Sequence, residues 1–532
     1  MHDQHRIINV ARPSRQGDIL LGMLEALLPV RFQSSTGSAI GSCDAVIFEN
    51  GERNDGTVPG VRLPTLCIPF AKDAGRPGPL EKLQIKFEDD SDVPFPFRGR
   101  SLVGRIGSKP QTMALRAGEK PLASTAQGIV WAASVEDRPR YFRSGFPLPS
   151  LTTESCFFDV FNSQQFFEVL PLLHFLHHVI KADRQIGPPL RACFIIDDPN
   201  LHWVRYGFVD FKKIAASAAK ENYHVSFATI PIDSWFAHQA ASGVFKRSPD
   251  RISLLVHGNN HTHAELAQNS TEREQVSLLR QAIQRVKRLE NVTGLHVSRV
   301  MAPPHGACSE SMLEQLPRCG FEAVTVSYGS LRKYNRTKSW VRNLGYRPLE
   351  VVQNCPVLPR FGLNGRTENT ILLAAYLRQP IILMGHHQDL RDGYDVLTRS
   401  ARLINGLGPV SWGSMSDICG TTYDQRIEGD EMALTVFFNS TTIILPGSLR
   451  SLTIQDGTGL RSRWRLSGRH GLIANLDLPA TLQVTDQFGD MIHCERLTPP
   501  LTASDPGDIR PSLAASVRRL ITETRDRLAV LR

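Results

Sequence analysis

Four short apolar runs in this chain each end on a group able to bind a metal ion or to activate a water molecule. Phe194-Ile195-Ile196 runs into Asp197-Asp198, and Ile252 to Val256 runs into His257-Gly258-Asn259-Asn260-His261. Val297 to Met301 leads, one residue later, into Pro303-Pro304-His305-Gly306, and Ile381 to Met384 leads into Gly385-His386-His387. Chemistry gathered repeatedly at the carboxyl ends of strands is how α/β barrels and open α/β sheets build active sites. A paired carboxylate, two histidines four apart and a late histidine point to hydrolysis assisted by a single metal ion.

Neighbouring carboxylates at a strand end can divide labour, one facing a metal and the other facing an attacking water. A strand followed by His257-x-x-x-His261 lets both imidazoles converge on one ion at ~2.0–2.1 Å. Gly258 gives that turn conformational freedom, and Asn259 and Asn260 tolerate left-handed backbone. No glutamate follows the first histidine, which argues against the helical metalloprotease signature. His263, two residues further on, is a spare group near the site or on the surface. His174, His177 and His178 also lie at helical spacing, but Leu170, Leu172, Leu173, Phe175 and Leu176 around them make packed helix residues the simpler reading.

The elements needed to hold these groups are legible from periodicity. From 190 to about 425, strand candidates Ala192-Ile196, His224-Thr229, Ile252-Val256, Val297-Met301, Phe321-Val326, Ile381-Met384 and Pro409-Trp412 alternate with helical stretches. Those helices fall at about 209–220, 272–290, 311–318, 368–378 and 393–406, with capping boxes predicted at Thr271-x-x-Glu274 and Ser311-x-x-Glu314. Such alternation implies a parallel sheet or incomplete barrel. Residues 1–150 read as an α/β accessory domain, with one helix from about Gln16 to Leu28, and 151–189 as a helical linker. Residues 190–428 form the α/β catalytic domain and 429–505 a small β-rich module. The stretch 506–532 reads as an amphipathic helix, with Leu513, Val517, Leu520, Leu528 and Leu531 at helical spacing, simplest as a helix docked on the protein's own surface, with membrane or partner contact as the alternative.

The 532 residues exceed one ordinary domain, and 41% hydrophobic with 21% charged content is normal for globular protein. No segment approaches the roughly 20 apolar residues of a membrane helix, and the first residues lack the apolar core of a signal peptide. Nine scattered cysteines without a CxxC pair fit neither a disulfide framework nor a thiolate metal site. A cytoplasmic location is the resulting expectation. The net charge of +9 is dispersed, densest at Arg518, Arg519, Arg525, Arg527 and Arg532, and carries no nucleic-acid-binding signature.

Ile196-Asp197-Asp198, the pair His257 and His261, Pro303-Pro304-His305-Gly306 and Leu383-Met384-Gly385-His386 together resemble the motifs of the polysaccharide deacetylase superfamily, over roughly residues 190–425. The resemblance implies a distorted (β/α)7 barrel, Asp197 as general base, and Asp198, His257 and His261 as metal ligands. It implies oxyanion support from the backbone at His305 and an acid role for His386. A divalent metal, most simply Zn2+, would be the cofactor, although nickel, cobalt or iron suit the same ligands. A carbohydrate would be the substrate, with Arg205, Tyr206, Pro303, Pro304 and Trp412 as expected contacts. The chain departs from the family where Ala302 replaces the arginine that steadies the catalytic aspartate. Arg299 is nearby but points differently. The histidine pair lacks the hydroxyl residue after its first member, and only Asp389, Asp392 and Trp412 offer themselves for the family's fourth motif. Three functions follow: an amino-sugar N-deacetylase, a hydrolase of another C–N bond such as a cyclic amide, or a non-catalytic glycan-binding protein. The sequence assigns no oligomeric state.

Overall fold

Alternating apolar residues between turns make strands, and in this chain they assemble into two separate sets. The computed structural model describes residues 5–11, 17–35, 42–50, 63–70, 79–136, 140–180, 189–364, 367–497 and 513–528. Gln16, Leu531 and Arg532, and the stretches 506–512 and 529–532 of the expected terminal helix, lie outside them. Contacts divide the chain into one unit of Met1–Gln185 with Lys338–Arg347 and another of Ile186–Thr337 with Pro348–Arg532.

In the first unit the described residues form a nine-stranded sheet. Val30–Ser35, Arg6–Ala11, Ala45–Asn50, Thr65–Pro69 and Tyr141–Ser144 run parallel along one half. The other half is antiparallel, built from Glu81–Phe87, Ser101–Ile106, Glu119–Thr125 and Gly128–Ser134. The helix Leu170–Val179 belongs to this unit and is not a linker. His174 packs edge-on to Trp131 and Phe142 with centroids 5.5 and 5.9 Å apart, and burial pushes its pKa down to about 4. His177 meets the Tyr346 hydroxyl at 2.9 Å. These histidines are packing residues.

The second unit carries the chemistry. Its central strands are β1 (Leu190–Asp197), β2 (Val225–Thr229), β3 (Ile252–His257), β4 (Val297–Ala302), β5 (Ala323–Val326), β6 (Cys355–Pro359) and β7 (Ile381–His386). They pair in the order β6-β5-β4-β3-β2-β1-β7, every neighbour parallel. After β6 the chain passes through Arg360 directly into the two-residue strand Phe361–Gly362, which pairs with β7. Sequence periodicity missed β6, because Pro356 and Pro359 make a five-residue run look like a turn. The segment expected as a seventh strand is Val410–Trp412, laid against the start of β1.

Helix starts follow local capping chemistry. Thr271 and Glu274 bond reciprocally at the start of Glu272–Thr293. The next cap is Ser309, two residues before the expected Ser311: its hydroxyl accepts from the Met312 amide and starts the helix Glu310–Arg318.

Successive strand residues face opposite sides of a sheet. One face therefore presents Cys193 and Ile195 from β1, Leu255 from β3, Val300 and Ala302 from β4, Leu358 from β6 and Ile382 from β7, all in one core cluster. Continuing each alternation towards the carboxyl end brings Asp197, His257, Arg360 and His386 onto that same face. At the other end the helix Met415–Gly420 closes the core with Met415, Ile418 and Cys419, and the Ser416 hydroxyl bonds Ser298 near the start of β4 at 2.9 Å.

The β-rich module begins at Tyr423 rather than 429 and consists, among the described residues, of two four-stranded sheets around Trp464, Leu466, Leu434 and Ile492. Phe438 leaves that module to join the core beneath the parallel sheet. Phe438→Ala is expected to lower the unfolding free energy by about 3–5 kcal/mol, as for other large buried aromatics, and urea denaturation measures it.

Candidate metal centre

Asp198 interrupts the pleat that produced the rest of the site. Its φ of 85° lies in the left-handed region, where a residue without glycine's freedom is strained. Strict alternation would send Asp197 and Asp198 to opposite faces. The left-handed turn brings Asp198 back to the carboxyl end of the strands, where its Oδ1 stands 3.4 Å from His257 Nε2 and 3.2 Å from His261 Nε2. The ligand atoms of these three residues lie within 4.8 Å of one another.

The hydrogen-bond pattern identifies what that space accepts. His257 Nδ1 lies 2.8 Å from the Ala302 carbonyl, which can only accept, so Nδ1 carries the proton and Nε2 offers a lone pair. Such a backbone partner is the usual way a ligating imidazole is oriented. Asp198 Oδ1 is buried without a hydrogen-bond partner. A buried acceptor facing imidazole lone pairs is repulsive unless a cation or proton sits between them. Burial alone would raise the Asp198 pKa, but the two imidazoles, when protonated at Nε2 in place of an ion, hold it well below the usual carboxylate range. Burial likewise opposes protonation of His257, while the carboxylates of Asp197 and Asp198 push its pKa up. The donor set of one carboxylate and two imidazoles fits a divalent ion of the zinc class.

The loop between the histidines is built around a residue that the sequence reading passed over. Glu265 is buried and accepts from four successive backbone amides, those of Asn259, Asn260, His261 and Thr262, at 2.6, 3.1, 3.1 and 3.3 Å. Arg285, also buried, donates to the side-chain oxygens of Asn259 at 2.7 Å and Asn260 at 2.8 Å. These bonds stabilise the left-handed φ of 53° at His261. Gly258 combines a φ of 61° with a setting where a Cβ would collide with Glu265 and the Pro304 ring, so only glycine serves there. A glutamate four residues beyond a histidine carries no distinctive sequence signature, because its partners are backbone amides.

Asp197 has a different environment. It is buried, and Arg360 Nη1 donates to both its oxygens at 3.1 and 3.0 Å while Arg360 Nη2 donates to the Pro303 carbonyl at 3.3 Å. The arginine absent at Ala302 thus has a counterpart 58 positions later in sequence, on the carboxyl end of β6. Arg299 is committed elsewhere, pairing with Glu290 at 2.6 Å. The only sequence signal for Arg360 was its place directly after a short apolar run.

The remaining expected residues divide into those at the site and those away from it. His386 is exposed and pairs in register with Asp197, which puts both side chains on one face, and its backbone amide donates to Asp389 at 2.7 Å. His387 is fully buried between the rings of Tyr206 and Phe208. His305 has φ 56° and is exposed, with its ring 5.4 Å from His261 and 5.1 Å from the exposed His263. Burial first, then the neighbouring imidazoles, lower the His305 pKa. Pro303 and Pro304 are buried and support the loop, Pro303 through Arg360 and Pro304 beneath Gly258.

Three residues expected to contact substrate are engaged within the protein. Trp412 pairs with Ala192 near the start of β1, the opposite end from Asp197, and its indole donates to Asn405 at 2.8 Å. Tyr206 is fully buried, with its hydroxyl donating to Asp526 at 2.9 Å. Arg205 is exposed and tied to Asp210 at 2.8 Å. Pairings such as Tyr206 with Asp526 span 320 positions and leave no local signature. Asp392 is exposed, and Asp389 serves the His386 backbone.

No family model matches the sequence, and no curated protein matches it. Over part of its length the structure is similar to polysaccharide deacetylases. With 44% of its length it covers 90% of a chain assigned as a polysaccharide deacetylase from Mycobacterium smegmatis, at 15% identity and TM-score 0.32. With 43% it covers 94% of a family 4 carbohydrate esterase from Streptomyces lividans, at 10% identity and TM-score 0.26. The same share covers 90% of a peptidoglycan deacetylase from Bacillus subtilis, at 12% identity and TM-score 0.25.

His257→Ala and His261→Ala are each expected to weaken divalent-metal binding about tenfold or more, and Glu265→Ala to do so without touching the ion. Elemental analysis and calorimetric titration measure this, and full occupancy in both histidine variants would remove the assignment. Arg360→Met leaves Asp197 as an uncompensated buried charge and is expected to cost about 3–5 kcal/mol of stability. Pairing it with Asp197→Leu should restore most of that loss in urea denaturation, since the lone anion is then gone.

Proposed function

We propose that the second unit is a metal-dependent hydrolase that removes N-acetyl groups from an amino-sugar of a polysaccharide or glycolipid. The observation that carries this reading is the orphaned Asp198 Oδ1 facing two imidazole nitrogens, beside a second carboxylate clamped by arginine. The second carboxylate beside the candidate metal site is what favours chemistry over glycan binding alone, since it offers a base that a purely structural ion would not need. We read the sheet as a distorted seven-stranded barrel. Support for it comes from the chain crossing at Arg360 from a pairing with β5 to a pairing with β7 within a few residues.

Asp198, His257 and His261 would hold the ion, most simply Zn2+. When bound, such an ion polarises a carbonyl oxygen and lowers the pKa of water from about 15.7 towards ~7. The residues of the chain do the rest. Asp197, ion-paired with Arg360, accepts a proton on a carboxylate oxygen as water adds to the acetyl carbon. His386, on the same face, delivers a proton to the leaving nitrogen as the C–N bond breaks, giving acetate and a free amine. The backbone at His305 and the Pro303-Pro304 turn border the acyl group, where amide dipoles stabilise developing negative charge.

A cytoplasmic location belongs to the same proposal and is supported by the nine cysteines, all of them free thiols. A lipid- or nucleotide-linked sugar precursor reconciles that address with an amino-sugar substrate. Among the described residues no helix is long and apolar enough to cross a membrane.

The test is acetate release by the metal-loaded protein from N-acetylated sugars, with ammonia and ring-opened products measured in parallel to distinguish a cyclic amidase. Asp197→Asn is expected to keep its metal and lose turnover, and His386→Ala to lower kcat by roughly 10²–10⁴-fold with metal content unchanged. Near-normal rates in both variants would place the proton transfers elsewhere.

A further inference from the structure

The C-terminal helix Leu513–Leu528 docks on the second unit by its polar side and turns its apolar side outward. Arg519, Glu523 and Asp526 are the buried charged residues of its inner face. Arg519 donates to both carboxylate oxygens of Asp233, at 2.9 Å through Nε and 2.7 Å through Nη2, and to the Asp198 carbonyl at 3.2 Å. Glu523 meets His202 at 3.1 Å, and Asp526 accepts from Tyr206. The small Ala515 packs on Ile230 and Ile232. Specific charge pairs therefore fix the helix in this orientation.

That orientation is the reverse of an ordinary surface helix, which buries its apolar stripe. At 100° per residue, Leu513, Val517, Leu520, Ile521 and Leu528 share the opposite side, and all are exposed, Leu520 at 66% and Ile521 at 64%. Exposed aromatics neighbour, in sequence, the residues that bond the helix. Trp203 follows His202, which bonds Glu523, and Trp235 and Phe236 follow Asp233, which pairs with Arg519. Arg288 lies 4.5 Å over the Trp235 ring. Arg518 and Arg525, both exposed, border the stripe on one side. An apolar stripe with a guanidinium border and exposed tryptophans has the chemistry of a segment lying in the headgroup layer of an anionic bilayer. A second copy of the chain fits less well, because antiparallel face-to-face pairing of the stripe brings two arginine borders together.

We propose that this face, the outer side of Leu513–Leu528 with Trp203, Trp235 and Phe236, seats the protein on anionic phospholipid bilayers. Arg518 also donates to the Asn260 carbonyl at 3.0 Å, between the two candidate histidine ligands. The docking face therefore lies beside the metal centre. The inference goes beyond the hydrolase reading and does not rest on it, since vesicle binding has no turnover readout.

The test is co-flotation of the full-length protein with vesicles of phosphatidylcholine mixed with phosphatidylglycerol, against phosphatidylcholine alone, with light scattering of the free protein alongside. Binding to the mixed vesicles is expected to exceed binding to the neutral ones and to fall as salt is raised. Leu520→Glu with Ile521→Glu should lower it about tenfold or more, since each such side chain gains roughly that factor on burial. Leu472→Glu, an equally exposed leucine in the β-rich module, should leave it unchanged. Absence of wild-type binding, or binding that survives the double substitution, overturns the proposal. So does a solution dimer that the double substitution dissociates, which would assign the face to a second copy.

Discussion

The ion pair between Arg360 and Asp197 is the interaction on which the carboxyl end of the parallel sheet depends. One guanidinium joins three strand ends: its own at β6, Asp197 at β1 and the Pro303 carbonyl just beyond β4. Removing charges from water is expensive, and a buried pair repays this only when its geometry and its remaining hydrogen bonds are good. Here Nη1 reaches both carboxylate oxygens and Nη2 takes a carbonyl, the geometry under which a buried pair can offset its desolvation. It ties together three strand ends that a single guanidinium can reach. The apolar cluster below, from Cys193 to Phe438, supplies the burial that makes this polar layer tolerable.

Above that pair, polar groups are arranged by division of labour. Asp197 is saturated by a cation of the protein itself, while Asp198, one residue on, is left facing imidazoles with an oxygen unsatisfied. Two adjacent carboxylates thus acquire different chemistry from a single backbone rotation at Asp198. The strain of that rotation sits where strained backbone is commonly found, at a site that must aim a side chain against the local pleat.

How much of this was readable in the sequence depended on range. Groups placed by the period of two, such as Asp197, His257 and His386, followed from apolar runs that end on polar residues. The alternation of strands and helices that carries them was equally visible. Arg360 was hidden because its strand contains two prolines, and prolines in a short run signal a turn. Glu265 was hidden because its four partners are backbone amides, which every residue offers. Tyr206 and Trp412 were misplaced for a third reason: both sit near residues of the site in sequence or in family pattern, but their partners are Asp526 and the start of β1. The amphipathicity of the terminal helix was plain, yet periodicity says only that two faces differ, and the matching carboxylate at Asp233 decides which one is turned inward.

The Glu265 and Arg285 framework has a consequence for when order is acquired. In small zinc modules the ligand loops are disordered until the ion arrives, so metal binding and folding are one event. Here four amides close on Glu265 and two asparagine side chains close on Arg285, bonds that take no ligand atom from the candidate site. The conformational entropy of the loop is lost when the chain folds. An ion held by Asp198, His257 and His261 would meet a loop that these bonds already order, so its binding free energy would go into affinity and selectivity rather than into building the cavity.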